Sequence, residues 1–242
     1  MHIPRKLKRI AALAAMPLIA SAVYTGGSDD RSYSPPRAAI VDQLSFNVPN
    51  PDFSQRATAL LEQAGYTVDY YPSDNVDVDL YRKLPSRDYD FIVFRVHTDR
   101  QEQIDDVILF SSEAYDTRKY VADQARNRLV IAQYQTDGKE YFGVASSRLF
   151  EKGDLDDATV IMMGCEGIVT PTTGEAFVDD GAENYIGWNG PVSATHTDAA
   201  TQKLLELLVI EKLPPTDALV KTMNEVGPDP LYGSTLGFVY KP

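Results

Sequence analysis

The sequence predicts an α/β domain: three αβα layers around a mostly parallel sheet, with an antiparallel hairpin inserted part-way along. Three observations lead there. The continuous apolar, partly β-branched run Thr159 to Met163 fits a strand covered on both faces, and Phe91 to Val96 is a second strand pattern of that kind. These runs alternate with stretches of helical spacing, an order that favours parallel strands joined by right-handed crossovers. Thr136-Asp137-Gly138-Lys139 interrupts two further strand-like runs, which is a hairpin signal.

The elements follow in order. Arg37 to Val41 reads as a first strand ending at Asp42. Pro51 to Ala64 carries Phe53, Ala57, Leu60, Leu61 and Ala64 at helical spacing, and Gly65 stops it. Tyr66 to Tyr71 is a second strand rich in aromatic and β-branched residues. A short helix is expected within Asn75 to Leu84, closed by Pro85, before the third strand from Phe91 to Val96. Then come a strand at Val107 to Phe110, a helix at Asp116 to Arg126, and the hairpin strands Leu129 to Gln135 and Glu140 to Ser146. The fourth strand of the main series is Thr159 to Met163, followed by a helix from Gly174 to Asp180 that ends at Gly181. Asn184 to Gly187 is the fifth. Asp198 to Glu211, apolar at Leu204, Leu205, Leu207, Leu208, Val209 and Ile210, reads as a core helix, and Pro215 to Val226 as a last one. There is no internal repeat and no low-complexity tract.

Residues 1–22 stand apart from this pattern. A basic stretch containing Arg5, Lys6, Lys8 and Arg9 precedes a 15-residue apolar run from Ile10 to Tyr24. That run is shorter than the ~20 residues of a membrane-spanning helix. With Ala20-Ser21-Ala22 as a small-residue cleavage site it reads as a secretory signal, the alternative being an uncleaved amino-terminal anchor. The chain is therefore expected to be secreted or extracytoplasmic, with membrane contact only through this segment if it is retained. Residues 23–36 form a polar linker, and 37–242 a single domain.

Removing residues 1–22 takes four positive charges away and moves the formal charge from −12 to −16. Such an acidic surface excludes nucleic acid and anionic membrane surfaces as expected partners. The single cysteine, Cys165, rules out an intramolecular disulfide and leaves one thiol in an exported chain. No Cys-x-x-Cys, His-x-x-x-His, calcium loop or glycine-rich nucleotide fingerprint is present, so neither metal nor cofactor is expected.

The chemistry concentrates at two strand ends. The fourth strand runs into Gly164-Cys165-Glu166-Gly167, whose glycines let the backbone turn sharply around the thiol. The third strand is followed at once by His97. In open α/β sheets ligands sit outside the carboxyl ends of the strands, so a nucleophile and its proton-transfer partner would share one crevice. The competing reading is a buried, inert thiol in a plain doubly wound domain. His196, in Thr195-His196-Thr197-Asp198, is explained by a helix start, and Asp99 either orients His97 or is simply solvated.

Val96-His97 and Met163-Gly164-Cys165-Glu166-Gly167 occupy the places that a base histidine and a nucleophilic cysteine hold in the clan CD cysteine peptidases. The chain resembles that caspase-like group over roughly residues 37–226. Its cysteine motif is most similar to those of legumain and separase, and Ala176 to Gly187 is similar to the corresponding part of gingipain-type domains. The resemblance implies hydrolysis of peptide or protein substrates by a Cys165/His97 dyad, with the N–H groups of Cys165 and Thr98 as oxyanion donors. It also implies a substrate pocket drawn from Asp42, Met163, Gly164, Glu166, Trp188 and Asn189. Asp42 would then favour a basic residue at the cleavage position, unless it only caps a turn; Trp188 is either a pocket wall or core. One position departs from the family pattern. Glycine usually follows the histidine, and here it is Thr98. A β-branched residue would be strained there if the backbone needs φ > 0, which leaves an inactive binding or scaffold domain of the same fold as the alternative.

Overall fold

Ten strands fall into two sheets in the computed structural model, which describes residues 34–134 and 138–240. The amino-terminal signal or anchor segment, the predicted linker as far as residue 33, and Thr136 and Asp137 of the predicted hairpin turn lie outside these residues.

The chain opens with β1 (Arg37–Asp42), then α1 (Pro51–Gln63) and β2 (Thr67–Pro72). Asn50 caps α1 by accepting the N–H of Phe53 at 3.1 Å, Pro51 supplies a pre-set first turn, and Gly65 exits with φ +96°. α2 (Val78–Lys83) is capped by Asp77, and β3 (Phe91–Arg95) follows. The second sheet comes next: β4 (Thr98–Gln101), β5 (Asp106–Ala114), the single turn α3 (Val121–Gln124), β6 (Leu129–Gln133) and β7 (Glu140–Ala145). The chain then returns to the first sheet through β8 (Thr159–Met162), α4 (Pro171–Asp179), β9 (Asn184–Trp188), α5 (Ala194–Leu205), α6 (Pro215–Glu225) and β10 (Leu236–Tyr240).

The first sheet has the order β10-β9-β8-β3-β1-β2, parallel except for β10, which runs antiparallel to β9 at one edge. The second sheet, β4-β5-β7-β6, is antiparallel throughout. Strand alternation sorts the core into two layers. Ala38, Ile40, Val93, Ile161 and Ile186 pack on one face with Phe53, Leu61, Leu204 and Ala218 from the helices. Ala39, Val41, Ile92, Phe94, Val160 and Met162 pack on the other with Tyr81, Phe177, Leu109 and Phe142, so the second sheet shares that core.

Three expectations change. The predicted helix over Asp116 to Arg126 shrinks to one turn, because the Asp116 carboxylate accepts the N–H of Arg118 at 2.8 Å and Tyr120 sits at φ +50°. The core helix predicted from Asp198 starts earlier, at Ala194, and ends in a π turn over Glu206–Ile210 that buries Leu207 and Val209. β4 and β10 carry no sequence assignment at all. The polar Thr-Asp-Arg-Gln of β4 lies at a sheet edge, where nothing requires an apolar face.

Candidate active site

β3 and β8 are parallel neighbours, with Phe94 beside Met162, and the N–H of Met163 donates to the Phe94 carbonyl at 2.9 Å. Both chains therefore leave the sheet together at its carboxyl edge, one toward His97 and the other toward Cys165. A direct contact ties the two exits: the Thr98 hydroxyl donates to the Cys165 carbonyl. Gly164 is required by this approach. A Cβ there would lie 2.4 Å from Thr98 Oγ1, 2.5 Å from Thr98 Cγ2 and 2.8 Å from the Val96 carbonyl. The turn continues through Glu166, left-handed at φ +59°, whose N–H donates to the Gly190 carbonyl at 2.9 Å. A non-glycine residue held in this conformation marks a site where the surroundings dictate the backbone.

Cys165 is half-buried. Its Sγ lies 3.5 Å from the Val192 N–H and 3.7 Å from the Val192 carbonyl, so the segment after β9 forms one side of the thiol's surroundings. Burial raises the thiol pKa, and the carboxylates of Glu166 and Asp229 add to this; the N–H groups of Val192 and of Cys165 itself oppose it. With the pKa raised, the thiolate fraction at neutral pH is smaller than for a free thiol. Alkylation of Cys165 by iodoacetamide, followed by mass spectrometry, should thus keep accelerating as pH rises past about 8.5, the ordinary thiol value. A plateau reached by pH 7 would contradict this electrostatic picture.

His97 is also half-buried. Its backbone N–H donates to Gln43 Oε1 at 3.1 Å, and its ring lies against Tyr134 and Phe110, with centroids 4.9 and 6.0 Å away. Burial lowers the imidazole pKa, and the Arg95 guanidinium pushes the same way. The ring is therefore held toward its neutral form. No hydrogen bond joins it to Sγ among the described residues, and exposed Asp99 makes none to it. The strain expected at Thr98 is absent, since neither His97 nor Thr98 lies at positive φ. Thr98 instead begins β4. The N–H of Phe110 donates to the His97 carbonyl at 2.9 Å, one bond of a hydrogen-bonded position whose other donor, the His97 N–H, goes to Gln43; by strand alternation the next N–H, that of Thr98, points away from β5.

Three of the residues assigned to a substrate pocket are not available to one. Asp42 is 1% exposed, and its carboxylate accepts Arg95 Nη1 at 2.7 Å and the Tyr70 hydroxyl at 2.9 Å. It balances a buried cation and presents no free charge to a substrate. Trp188 is 0% exposed, with its indole N–H on the Thr197 hydroxyl at 2.9 Å, and belongs to the core. Met163 is 1% exposed and packs in the same layer. Asn189 stays exposed but holds Thr235 through both ends of its amide. Gly164 and Glu166 remain at the turn that carries the thiol. His196 bonds the Gly227 carbonyl at 3.0 Å, which fits its place in the first turn of α5.

Several residues near the site escaped the sequence reading. Arg95 is 0% exposed and is shared between Asp42 and Asp198, with Nε 2.7 Å and Nη2 2.9 Å from the Asp198 carboxylate. An arginine inside an otherwise apolar strand was the visible signal, since a buried charge needs partners. Asp229 is fixed by the hydroxyl and N–H of Ser193 and by the N–H groups of Leu231 and Tyr232. Burial alone would raise its pKa, but these donors outweigh it and hold the carboxyl at about 2. Nothing in the local sequence distinguishes it.

The chain matches no protein-family model and no curated protein. No group of His, Cys, Asp and Glu among the described residues is arranged to hold a metal ion, and no described helix is long and apolar enough to cross a membrane.

Proposed function

We propose that this chain is an exported cysteine endopeptidase of caspase-like fold, acting through Cys165 and His97. One observation carries the reading: adjacent parallel strands end in His97 and Cys165, and the Thr98 hydroxyl on the Cys165 carbonyl locks the two exits together. The order of the parallel sheet, with the histidine after its third strand in sequence and the cysteine after its fourth, supports the same assignment.

In this mechanism the Cys165 sulfur attacks the carbonyl carbon of the scissile bond. The negative charge that develops on the carbonyl oxygen is received by the N–H groups of Cys165 and Thr98. Each such donor is worth about 10²–10³ in rate. The thiol proton passes to His97, which gives it to the leaving amine as the C–N bond breaks. Water then hydrolyses the thioester, releasing the carboxylic acid and restoring the thiol. The substrate is a peptide or protein. With Asp42 consumed by Arg95, a preference for basic residues does not follow from that position.

A second reading, a binding domain that keeps the fold without the chemistry, is favoured by the acidic surroundings of the thiol, where Glu166 and Asp229 disfavour the thiolate. Incubation with a fluorogenic peptide library under reducing conditions separates the two. The peptidase should cleave a subset of peptides, and Cys165→Ala should lose at least about 100-fold in rate, as expected when a covalent nucleophile is removed. Cleavage that survives Cys165→Ala would defeat the assignment. An intact library, with the thiol still open to iodoacetamide, would favour the binding domain instead.

A further inference from the structure

The His97 imidazole accepts no carboxylate support: no Asp or Glu side chain hydrogen-bonds it among the described residues. The ring is flanked by two aromatic rings, Tyr134 and Phe110, and a buried amide holds the backbone beneath it. Gln43 follows β1 directly, is 2% exposed, and has both ends of its amide in use. The backbone N–H of His97 can only donate, so Gln43 Oε1 must face it, and the amide NH₂ must then donate to the Tyr134 hydroxyl. Tyr134 follows β6 in the second sheet. Its ring meets the imidazole edge-on at 4.9 Å and 76°, while Phe110 closes another side and lies 5.2 Å from Tyr134.

We propose that Tyr134, fixed by Gln43, is the positioning residue that orients the His97 imidazole for proton transfer at Cys165. This rests on the peptidase reading above. An imidazole turns in a broad, two-fold torsional well unless something walls it in. Here the wall is tied by one amide to the sheet that also sets the His97 backbone. The link joins three elements that are distant in sequence: the end of β1, the exit of β3 and the end of β6. The charged group acting on the ring is Arg95, from β3 itself. The two rings contribute to the burial that keeps the imidazole neutral. Loss of the Tyr134 ring should therefore free the rotation and wet the imidazole together.

The test uses the full chain with Tyr134→Phe and Tyr134→Ala, following the histidine Cε1–H resonances by NMR across pH and assigning His97 from His97→Gln. Tyr134→Ala should move the His97 titration upward, toward the ordinary value of about 6.5. Its kcat should fall about 10–100-fold while KM changes less than about twofold, as for misplaced proton transfer. Tyr134→Phe keeps the ring and should lose less than about fivefold in kcat, with the titration nearly unmoved, since one neutral hydrogen bond is modest. Should Tyr134→Ala fail to fold, Tyr134→Leu fills the space without a ring and is read the same way. Titration curves that superimpose on the wild type would overturn the proposal, as would equal losses in the Phe and Ala variants. If the wild-type chain cleaves nothing, the peptidase reading fails on its own. The NMR titration then still decides whether Tyr134 governs the imidazole.

Discussion

Arg95→Met should destabilise the protein by about 3–5 kcal/mol, the cost expected when one partner of a buried ion network is removed. Arg95 is 0% exposed, its guanidinium engages Asp42 and Asp198, and Nη2 also reaches the Val48 carbonyl at 2.9 Å. Without it, two buried carboxylates lose their cation and keep only the neutral donors Tyr70 and Asn50. Burial already raises the Asp42 pKa against the opposing pull of Arg95, and Asp198 adds to the rise. Removing the cation takes away the pull that opposes this rise, so the folded-state Asp42 value climbs further. The folded protein then binds more protons than the unfolded chain, so the stability of the variant falls as pH rises. Urea denaturation should show a larger loss at pH 7.5 than at pH 5. A loss below about 1 kcal/mol at pH 7.5, typical of exposed pairs, would mean that the network is not buried as described.

Gly164→Ala should cost about 1–3 kcal/mol by overpacking and should remove most activity. The added methyl would sit 2.4–2.8 Å from the Thr98 side chain and the Val96 carbonyl, and the carbonyl cannot rotate away. Relief requires the His97 exit and the Cys165 exit to move apart. A displacement of ~1 Å between reacting groups can cost about 10²-fold in rate. Thr98→Ala in the same chain removes two of the three clashing atoms. The double variant should recover stability relative to the sum of the single changes, a coupling expected for residues in contact. Strict additivity in that cycle would show that the two strand exits do not touch.

Much of this architecture is legible in the sequence because the physics is local. The run Thr159 to Met163, and Phe91 to Val96 apart from Arg95, are apolar on both faces, as a doubly covered strand is, and Asn50-Pro51 with Gly65 brackets α1 by cap and stop. The positions of His97 and Cys165 follow from the ends of those strands. What stayed hidden depends on partners far along the chain. Asp42 looked like a charge open to substrate because Arg95 and Asp198, 53 and 103 residues apart from their partners in the network, are joined only by the fold. Trp188 looked equally fit for a wall or for core until Thr197 took its indole N–H. Gln43 gave no signal, since its use comes from His97 and Tyr134 together. β4 is polar because it lies at an edge, and the stretch after Asp116 chose turns over helix because its own carboxylate competes for backbone N–H groups.

The most direct measurement is the rate at which a peptidyl acyloxymethyl ketone labels Cys165 in the wild type and in His97→Ala, read by intact-mass spectrometry beside iodoacetamide as a small reagent. A peptidase built on these two strand exits gives a single adduct at Cys165. Its formation slows at least about 100-fold without the imidazole, the scale of general acid–base assistance, while iodoacetamide reacts at nearly the same rate in both proteins. Equal labelling of the two proteins by the peptidyl reagent would contradict the account, as would a wild-type thiol that iodoacetamide modifies and the peptidyl reagent never does.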